Sequence, residues 1–173
     1  MNFKEISPYE LQMNPMEMVA KQWMLVTAGD DKTGYNTMTA SWGHFGALWG
    51  HNSGLPTSVI FVRPQRYTKE FVDREPLYSL CFFPAEYKKA LGYLGSHSGR
   101  DGDKVAAAGL TPVFGDGYTY FEEAKLAFVC RKLYQAPIVQ EGFHDRELME
   151  DCYPKKDFHD LYVGEIVKVL VRE

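Results

Sequence analysis

NTMTASWG, residues 36–43, is the stretch from which the fold of this chain can be read. The two-residue period of a β-strand divides it into a hydroxyl face and an apolar face, namely Thr37, Thr39 and Ser41 against Met38, Ala40 and Trp42. A solvated strand face usually includes charged side chains, and this one has none. We therefore predict a strand over 37–42 whose neutral hydroxyls face a ligand that forms hydrogen bonds.

The segments around this strand predict five further strands. GDDKTGYN, residues 29–36, is rich in turn formers and predicts a hairpin that joins the strand to the one before it. The five are 23–28, 58–64, 77–83, 124–139 and 160–171. Strands mostly follow strands without a regular βαβ alternation, which favours an antiparallel barrel or sandwich.

Short helices are predicted between the strands. Asn14 and Pro15 mark the start of one, and Thr68 is the expected N-cap of a second. Helical spacing predicts a third over 86–96, and Gly109 ends a fourth that begins near 103. Residues 140–160 are polar and unpatterned, and we assign no element to them.

Composition limits the classes of function. The 173 residues fit one domain, 1–173, and are 45% hydrophobic and 14% aromatic. Nineteen Lys and Arg against 23 Asp and Glu give a net charge of -4, which argues against a nucleic-acid or other polyanion binder. No apolar run has the length of a signal peptide core or a membrane span, so we expect a cytoplasmic protein without membrane contact.

Cysteines and histidines predict no metal site. The three cysteines form no CxxC pair, and Cys81 and Cys130 lie in apolar strands as expected core residues. The five histidines show no HExxH spacing. His159 stands immediately before the last strand, where it is either a ligand-positioning residue or a strand-end histidine bonded to solvent.

Two loops carry cations at positions suited to a phosphate. Arg63 and Arg66 precede Thr68 in RPQRYTKE, and a helix N-terminus beside guanidinium groups can hold an anion. In HSGRDGDK, Gly99 allows close approach of the backbone, and Arg100 and Lys104 add positive charge. A surface turn and an ordinary helix start are the alternatives. Neither loop has Walker A or GxGxxG spacing.

Taken together, the hydroxyl strand and the two loops predict a site for a flat, phosphorylated ligand. Trp42 and Tyr67 are near enough in the sequence to offer aromatic surface to it. The residues alone do not name the ligand.

Four motifs in this order resemble the flavin reductase-like family of FMN-binding split barrels, the group that includes flavoredoxin. They are NTMTASWG, RPQRYT, SGRDGDK and HDLYVGEI, and they span most of the chain. The resemblance implies a mainly β fold, a six-stranded antiparallel split β-barrel of Greek-key type with a few short helices. It also implies a homodimer with FMN near the subunit interface.

The resemblance implies a role for each matching residue. Those along the flavin and its ribityl chain would be Asn36, Met38, Thr39, Ala40, Ser41 and Trp42. Those at the phosphate end would be Arg63, Arg66, Tyr67 and Thr68, with Ser98, Gly99, Arg100 and Lys104 closing the site. His159, five residues before Gly164, would lie beside the nicotinamide. The bulky Trp42 and the aromatic stretch after it depart from the family pattern and imply a more enclosed flavin.

Three functions follow as hypotheses. The first is an NAD(P)H-dependent FMN oxidoreductase that passes electrons to a flavin or another acceptor and needs no catalytic base. The second is a flavoredoxin-like electron carrier that a protein partner reduces. The third is a non-catalytic binding barrel for another small molecule, since one fold hosts several functions.

Overall fold

The computed structural model describes residues 2–173, in which the strands form two antiparallel sheets. The larger sheet contains β1 (Phe3–Ile6), β2 (Met24–Asp30), β3 (Gly34–Ala40), β4 (Gly43–Leu48), β5 (Leu55–Val62), β6 (Leu77–Phe82), β9 (Leu126–Pro137) and β10 (Asp160–Arg172). Its order is β3-β2-β6-β9-β10-β5-β4, with β1 paired to β10. The smaller sheet pairs β7 (Pro112–Phe114) with β8 (Thr119–Phe121).

Six strands of the larger sheet supply one apolar core. Alternate residues of β2, β3, β5, β6, β9 and β10 face the same interior, including Val26, Met38, Ile60, Leu80 and Phe128. Because one face of every strand packs on this common core, the sheet curls around it. The predicted mainly β, antiparallel architecture is confirmed, with eight strands in the larger sheet where six were expected.

The two extra strands have a weak sequence signal. β1 has only four residues, and β4 mixes glycine with aromatic residues on a largely exposed edge, so neither shows clear alternation. The strand predicted over 37–42 is wrong at its end. It stops at Ala40, and Ser41 and Trp42 lie in the link to β4.

Five short α-helices accompany the sheets, and they are α1 (Pro15–Glu17), α2 (Thr68–Arg74), α3 (Lys88–Ser96), α4 (Lys104–Ala107) and α5 (Arg146–Cys152). Asn14 caps α1 as predicted, accepting from the Glu17 N–H at 3.3 Å, and a π-helical turn follows over Met18–Gln22. Gly109 ends α4 with the expected positive φ of 71°. α5 lies in the segment to which we assigned no element.

Helices α3 and α4 cover the outer face of the sheet. Leu91, Leu94 and Val105 pack there in a second core cluster with Leu25 and Cys81. Cys81 and Cys130 are fully buried, as predicted, and burial raises the pKa of both thiols to about 12. Among residues 2–173 no helix is long and apolar enough to cross a membrane.

A glycine in β10 makes room for a buried tyrosine. A Cβ on Gly164 would lie 2.3 Å from the Tyr78 hydroxyl oxygen and 2.7 Å from its Cζ. The Tyr78 hydroxyl forms a 2.9 Å hydrogen bond with Ser58, which also contacts the Cys130 sulfur at 3.3 Å. Glycine at position 164 is therefore explained by packing against Tyr78.

Gly164→Ala is expected to destabilise the protein by roughly 1–3 kcal/mol, because the new methyl group overpacks against the Tyr78 ring. Gly46→Ala, in β4, is the matched control, since a Cβ there meets nothing within 4 Å. Urea unfolding followed by circular dichroism measures both. Equal stability of the two variants would contradict the packing role of Gly164.

Candidate functional site

Most of the predicted site residues line two adjoining cavities at one end of the curled sheet. The strand-end cavity, about 210 Å³, is lined by Met38, Thr39, Ala40, Ser41, Trp42, Phe61, Arg63, Arg66 and His159. The cation cavity, about 190 Å³, is lined by Asn36, Met38, Gln65, Arg66, Tyr67, Thr68, Ser96, His97, Ser98 and Lys104. Met38 and Arg66 belong to both, so the cavities adjoin. Sequence reasoning missed Phe61, Gln65, Ser96 and His97.

Two predicted residues need separate mention. Gly99 lines a further recess that also includes Asn36, Tyr67 and Lys104, so it borders the cation cavity. Arg100 lines none of these cavities. Its guanidinium lies 4.4 Å from the centre of the Tyr67 ring and pairs with Glu70, with half of the arginine side chain exposed.

The hydroxyls of β3 are bonded within the protein. Thr37 is fully buried and shares a 2.8 Å hydrogen bond with Thr27. Thr39 lines the strand-end cavity, yet its hydroxyl donates to the Leu91 carbonyl oxygen at 2.5 Å and so holds α3 against β3. The interpretation that the whole hydroxyl face awaits a ligand is therefore wrong for Thr37, and Thr39 has only acceptor capacity left.

Helix α2 begins at Thr68, which is not its N-cap. Tyr67 is the capping residue and makes no side-chain cap hydrogen bond. The Thr68 hydroxyl instead accepts from the Asn36 amide at 2.8 Å. A Cβ on Gly99 would lie 2.1 Å from the Asn36 Oδ1, so only glycine lets the 98–100 loop approach this pair.

Lys104 is a buried cation without a carboxylate partner. Only 6% of the residue is exposed, and its Nζ donates to the carbonyl oxygens of Leu94 and His97 at 3.0 and 2.9 Å. Arg66 donates to the Gly95 carbonyl oxygen at 2.7 Å. Within residues 2–173 neither cation forms an ion pair. Burial, with the nearby Arg66 charge, lowers the pKa of Lys104 to about 8, so the site favours a bound anion.

Arg63 lines the strand-end cavity and is also bonded within the protein. Its guanidinium donates to the Asp157 carboxylate at 2.6 Å and to the Cys152 carbonyl oxygen at 3.0 Å. Gln65 also donates to Asp157 at 2.8 Å, and the hydrogen bonds from Gln65 and Arg63 lower the pKa of that carboxyl to about 2. Arg63 therefore fixes the 152–157 segment against β5, and its charge is already neutralised.

His159 lines the strand-end cavity, whereas Lys104 lines the adjoining cation cavity. His159 is 8% exposed, and its Nδ1 is 2.8 Å from the Tyr153 hydroxyl. Its ring packs against Trp42 with the ring centres 5.0 Å apart. Burial, assisted by the Arg63 charge, lowers the pKa of His159 to about 4. The imidazole is therefore neutral at physiological pH and can form a hydrogen bond without adding charge.

The neutral state of His159 is expected to make stability depend on pH. Because its pKa falls from 6.5 unfolded to about 4 folded, the unfolded chain binds the proton more readily between these values. The free energy of unfolding should thus lose about 3 kcal/mol from this group as the pH falls from about 7.5 to 4, and almost none is gained above about 7.5. Urea unfolding and an NMR titration of the imidazole measure this.

His159→Gln should remove that part of the pH dependence, and His144→Gln, at an exposed position, should retain it. An NMR midpoint for His159 at or above 6.5 would contradict the assigned burial of the imidazole.

Solved structures with similar folds share the architecture of this chain. An FMN-binding domain of a flavin reductases-like enzyme from Shewanella baltica OS155 superimposes with a TM-score of 0.66 at 13% identity, covering 98% of this chain and 77% of that one. Flavoredoxin of Desulfovibrio vulgaris (Miyazaki F) gives 0.64 at 24%, covering 87% and 69%. An NADH:FAD oxidoreductase of Streptomyces globisporus gives 0.63 at 17%, covering 87% and 75%. These likenesses confirm the split-barrel fold.

The sequence comparisons identify the family. A search of curated proteins found no match. A model of the flavin reductase like domain matches residues 16–173, which is most of the chain. The protein therefore belongs to the flavin reductase-like, FMN-binding family.

Proposed function

We propose that this protein binds FMN and uses it to pass electrons from NADH or NADPH to a second flavin or another acceptor. The observation that carries the proposal is the pair of unneutralised cations, Lys104 and Arg66, in a cavity that adjoins a second one lined by Trp42 and Phe61. A ligand with an anion at one end and a flat ring at the other fits this order of charges. FMN has that form, and the family binds it.

The residues present fit FMN in a specific arrangement. Lys104 and Arg66 would hold the phosphate, assisted by the polar side chains of Ser98 and Thr68. Met38, Thr39 and Ala40 would lie along the ribityl chain and the ring. Arg63 and Arg100 are left out of the phosphate site because carboxylates already neutralise them.

The chemistry of hydride transfer is supplied by the flavin when it is bound. The protein orients the reactants and excludes water from the ring. Trp42 and Phe61 would provide a dry surface at the ring end of the site, and the neutral His159 a hydrogen-bonding group that does not repel a cationic nicotinamide. Tyr153 fixes the His159 ring through the 2.8 Å hydrogen bond. In this proposal His159 in turn positions the nicotinamide.

Arg66→Ala is expected to weaken FMN binding by roughly 1.5–3 kcal/mol, the range of charge-assisted hydrogen bonds. Arg100→Ala should change it by less than about 0.5 kcal/mol, because that guanidinium is exposed and paired with Glu70. Quenching of flavin fluorescence on titration measures both affinities. Equal losses in the two variants would contradict the assignment of the phosphate to the Lys104 and Arg66 side.

The electron donor is tested by an anaerobic titration of the FMN-loaded protein, followed at the visible flavin band. Rapid bleaching by NADH or NADPH is the expected result and shows which donor is preferred. Retention of colour with both donors, followed by bleaching with a reduced redox protein, would favour the electron-carrier function instead. Failure to bind FMN would reject both functions and leave a binding barrel for another small molecule.

We also propose a homodimer. Leu48 at the end of β4, Trp49 directly after it and Tyr134 on β9 are exposed, largely apolar side chains, and the Trp49 and Tyr134 rings lie 6.1 Å apart. An exposed apolar cluster that includes the end of the edge strand β4 favours contact with a second copy. Sedimentation of the wild type and of Trp49→Glu measures this, with a loss of dimer expected in the variant.

A further inference from the structure

A third and larger cavity adjoins the strand-end cavity. This aromatic cavity, about 770 Å³, is lined by Pro15, Met16, Val19, Ala20, Ser41, Trp42, Gly43, His44, Phe45, Phe61, Ile138, Phe143, Leu148, Cys152 and Tyr153. Ser41, Trp42 and Phe61 belong to both cavities, so a molecule in the larger one would lie next to the ring end of the candidate flavin site. Its volume falls in the range of about 300–1,000 Å³ typical of small-molecule sites.

The lining of the aromatic cavity contains no Lys, Arg, Asp or Glu. Its polar groups are few, and the Tyr153 hydroxyl among them is already bonded to His159. Rings from Trp42, Phe45, Phe61 and Phe143 supply flat apolar surface. Such walls bind flat, neutral rings well and penalise an ionised group, which would lose its hydration without gaining a partner.

The wall of the cavity is held in place by the chain itself. Arg63 donates to the Cys152 carbonyl oxygen and pairs with Asp157, which fixes the segment that carries Cys152 and Tyr153. Phe143 packs on Tyr153 with ring centres 5.9 Å apart. Residues between 138 and 153 line one side of the cavity, and residues of α1 and β4 contribute to the other. The segment 140–160, to which the sequence assigned no element, therefore forms part of the cavity wall.

We infer that the aromatic cavity binds the electron-accepting substrate, and that this substrate is a neutral, flat, conjugated ring compound such as a quinone. The inference rests on the proposed function, because it places the acceptor beside bound FMN. A quinone takes up two electrons and two protons to become the hydroquinone, and a fully reduced, protonated flavin gives up the same number on reoxidation. A free flavin phosphate is a poor fit to the cavity, since no cation there would neutralise it.

The test compares two ring compounds of the same shape and different charge. Calorimetric titration of the FMN-loaded protein with 2-naphthol, which is neutral and redox-inert, is expected to show binding. The 2-naphthoate anion should bind at least about tenfold more weakly, because its carboxylate would enter an uncharged site. Equal binding of the two compounds, or binding of neither, would overturn the inference.

A filling variant locates the site. Ala20→Trp should occupy the cavity and weaken 2-naphthol binding at least about tenfold, and Ala107→Trp, at another exposed helical alanine that does not line it, should leave binding unchanged. Undiminished binding in Ala20→Trp would place 2-naphthol elsewhere and overturn the inference. If the wild type does not bind 2-naphthol and Ala20→Trp changes the sedimentation of the protein, the cavity is a subunit contact and the inference is overturned.

The same samples separate this inference from the proposed function. Visible absorbance reports whether FMN is bound, and the calorimetric signal reports 2-naphthol alone. Loss of FMN with retained naphthol binding rejects the proposed function, whereas bound FMN without naphthol binding rejects only the acceptor class.

Discussion

The pairing of β10 with three other strands is the constraint on which the rest of the fold depends. Its thirteen residues pair with β9 on one side and with β5 and β1 on the other, and so join the two halves of the curled sheet. Tyr78 extends from β6 and its ring packs against β10 at Gly164. Glycine at this position leaves room for the ring. His159 directly precedes β10, so the position of that strand also determines where its imidazole lies.

The four cations that the sequence predicted near a phosphate differ in whether a carboxylate neutralises their charge. Arg63 and Arg100 are paired with Asp157 and Glu70, whereas Arg66 and Lys104 rest on backbone carbonyls. Carbonyl oxygens satisfy the N–H donors without cancelling the charge, so the cation cavity keeps its attraction for an anion. Burial makes that attraction stronger, and burial together with the Arg66 charge also lowers the pKa of Lys104.

The sequence predicted the fold well where local pattern and tertiary environment agree. Long alternating strands such as β9 and β10, the Asn14 cap and the Gly109 helix end are visible in the sequence because each depends on nearby residues. Nearly all the site residues predicted from the motifs line cavities that adjoin one another.

What the sequence could not show depends on contacts between distant residues. The partner of Thr68 is Asn36, and the partner of Arg63 is Asp157, each far away in the chain. No local sequence pattern shows whether a hydroxyl or a guanidinium already has a hydrogen-bond or ion-pair partner within the protein. The aromatic wall from Phe143 and Tyr153 was missed for the same reason, since it lies in a polar stretch whose apolar residues have no regular period.

The three cavities form a sequence of decreasing charge. The cation cavity is lined by the unpaired cations Lys104 and Arg66, and the strand-end cavity shares only Arg66 and adds a neutralised arginine and a neutral histidine. The aromatic cavity has no Lys, Arg, Asp or Glu in its lining. Electrostatics alone would therefore orient a ligand with one anionic end, because the opposite orientation would bury its anion among aromatic rings. The orientation of the ligand leaves its uncharged end beside Trp42 and Phe61, the two rings shared with the aromatic cavity. Arg63 links both effects, since its ion pair with Asp157 neutralises its own charge in the strand-end cavity, while its hydrogen bond to Cys152 holds the segment that lines the aromatic cavity.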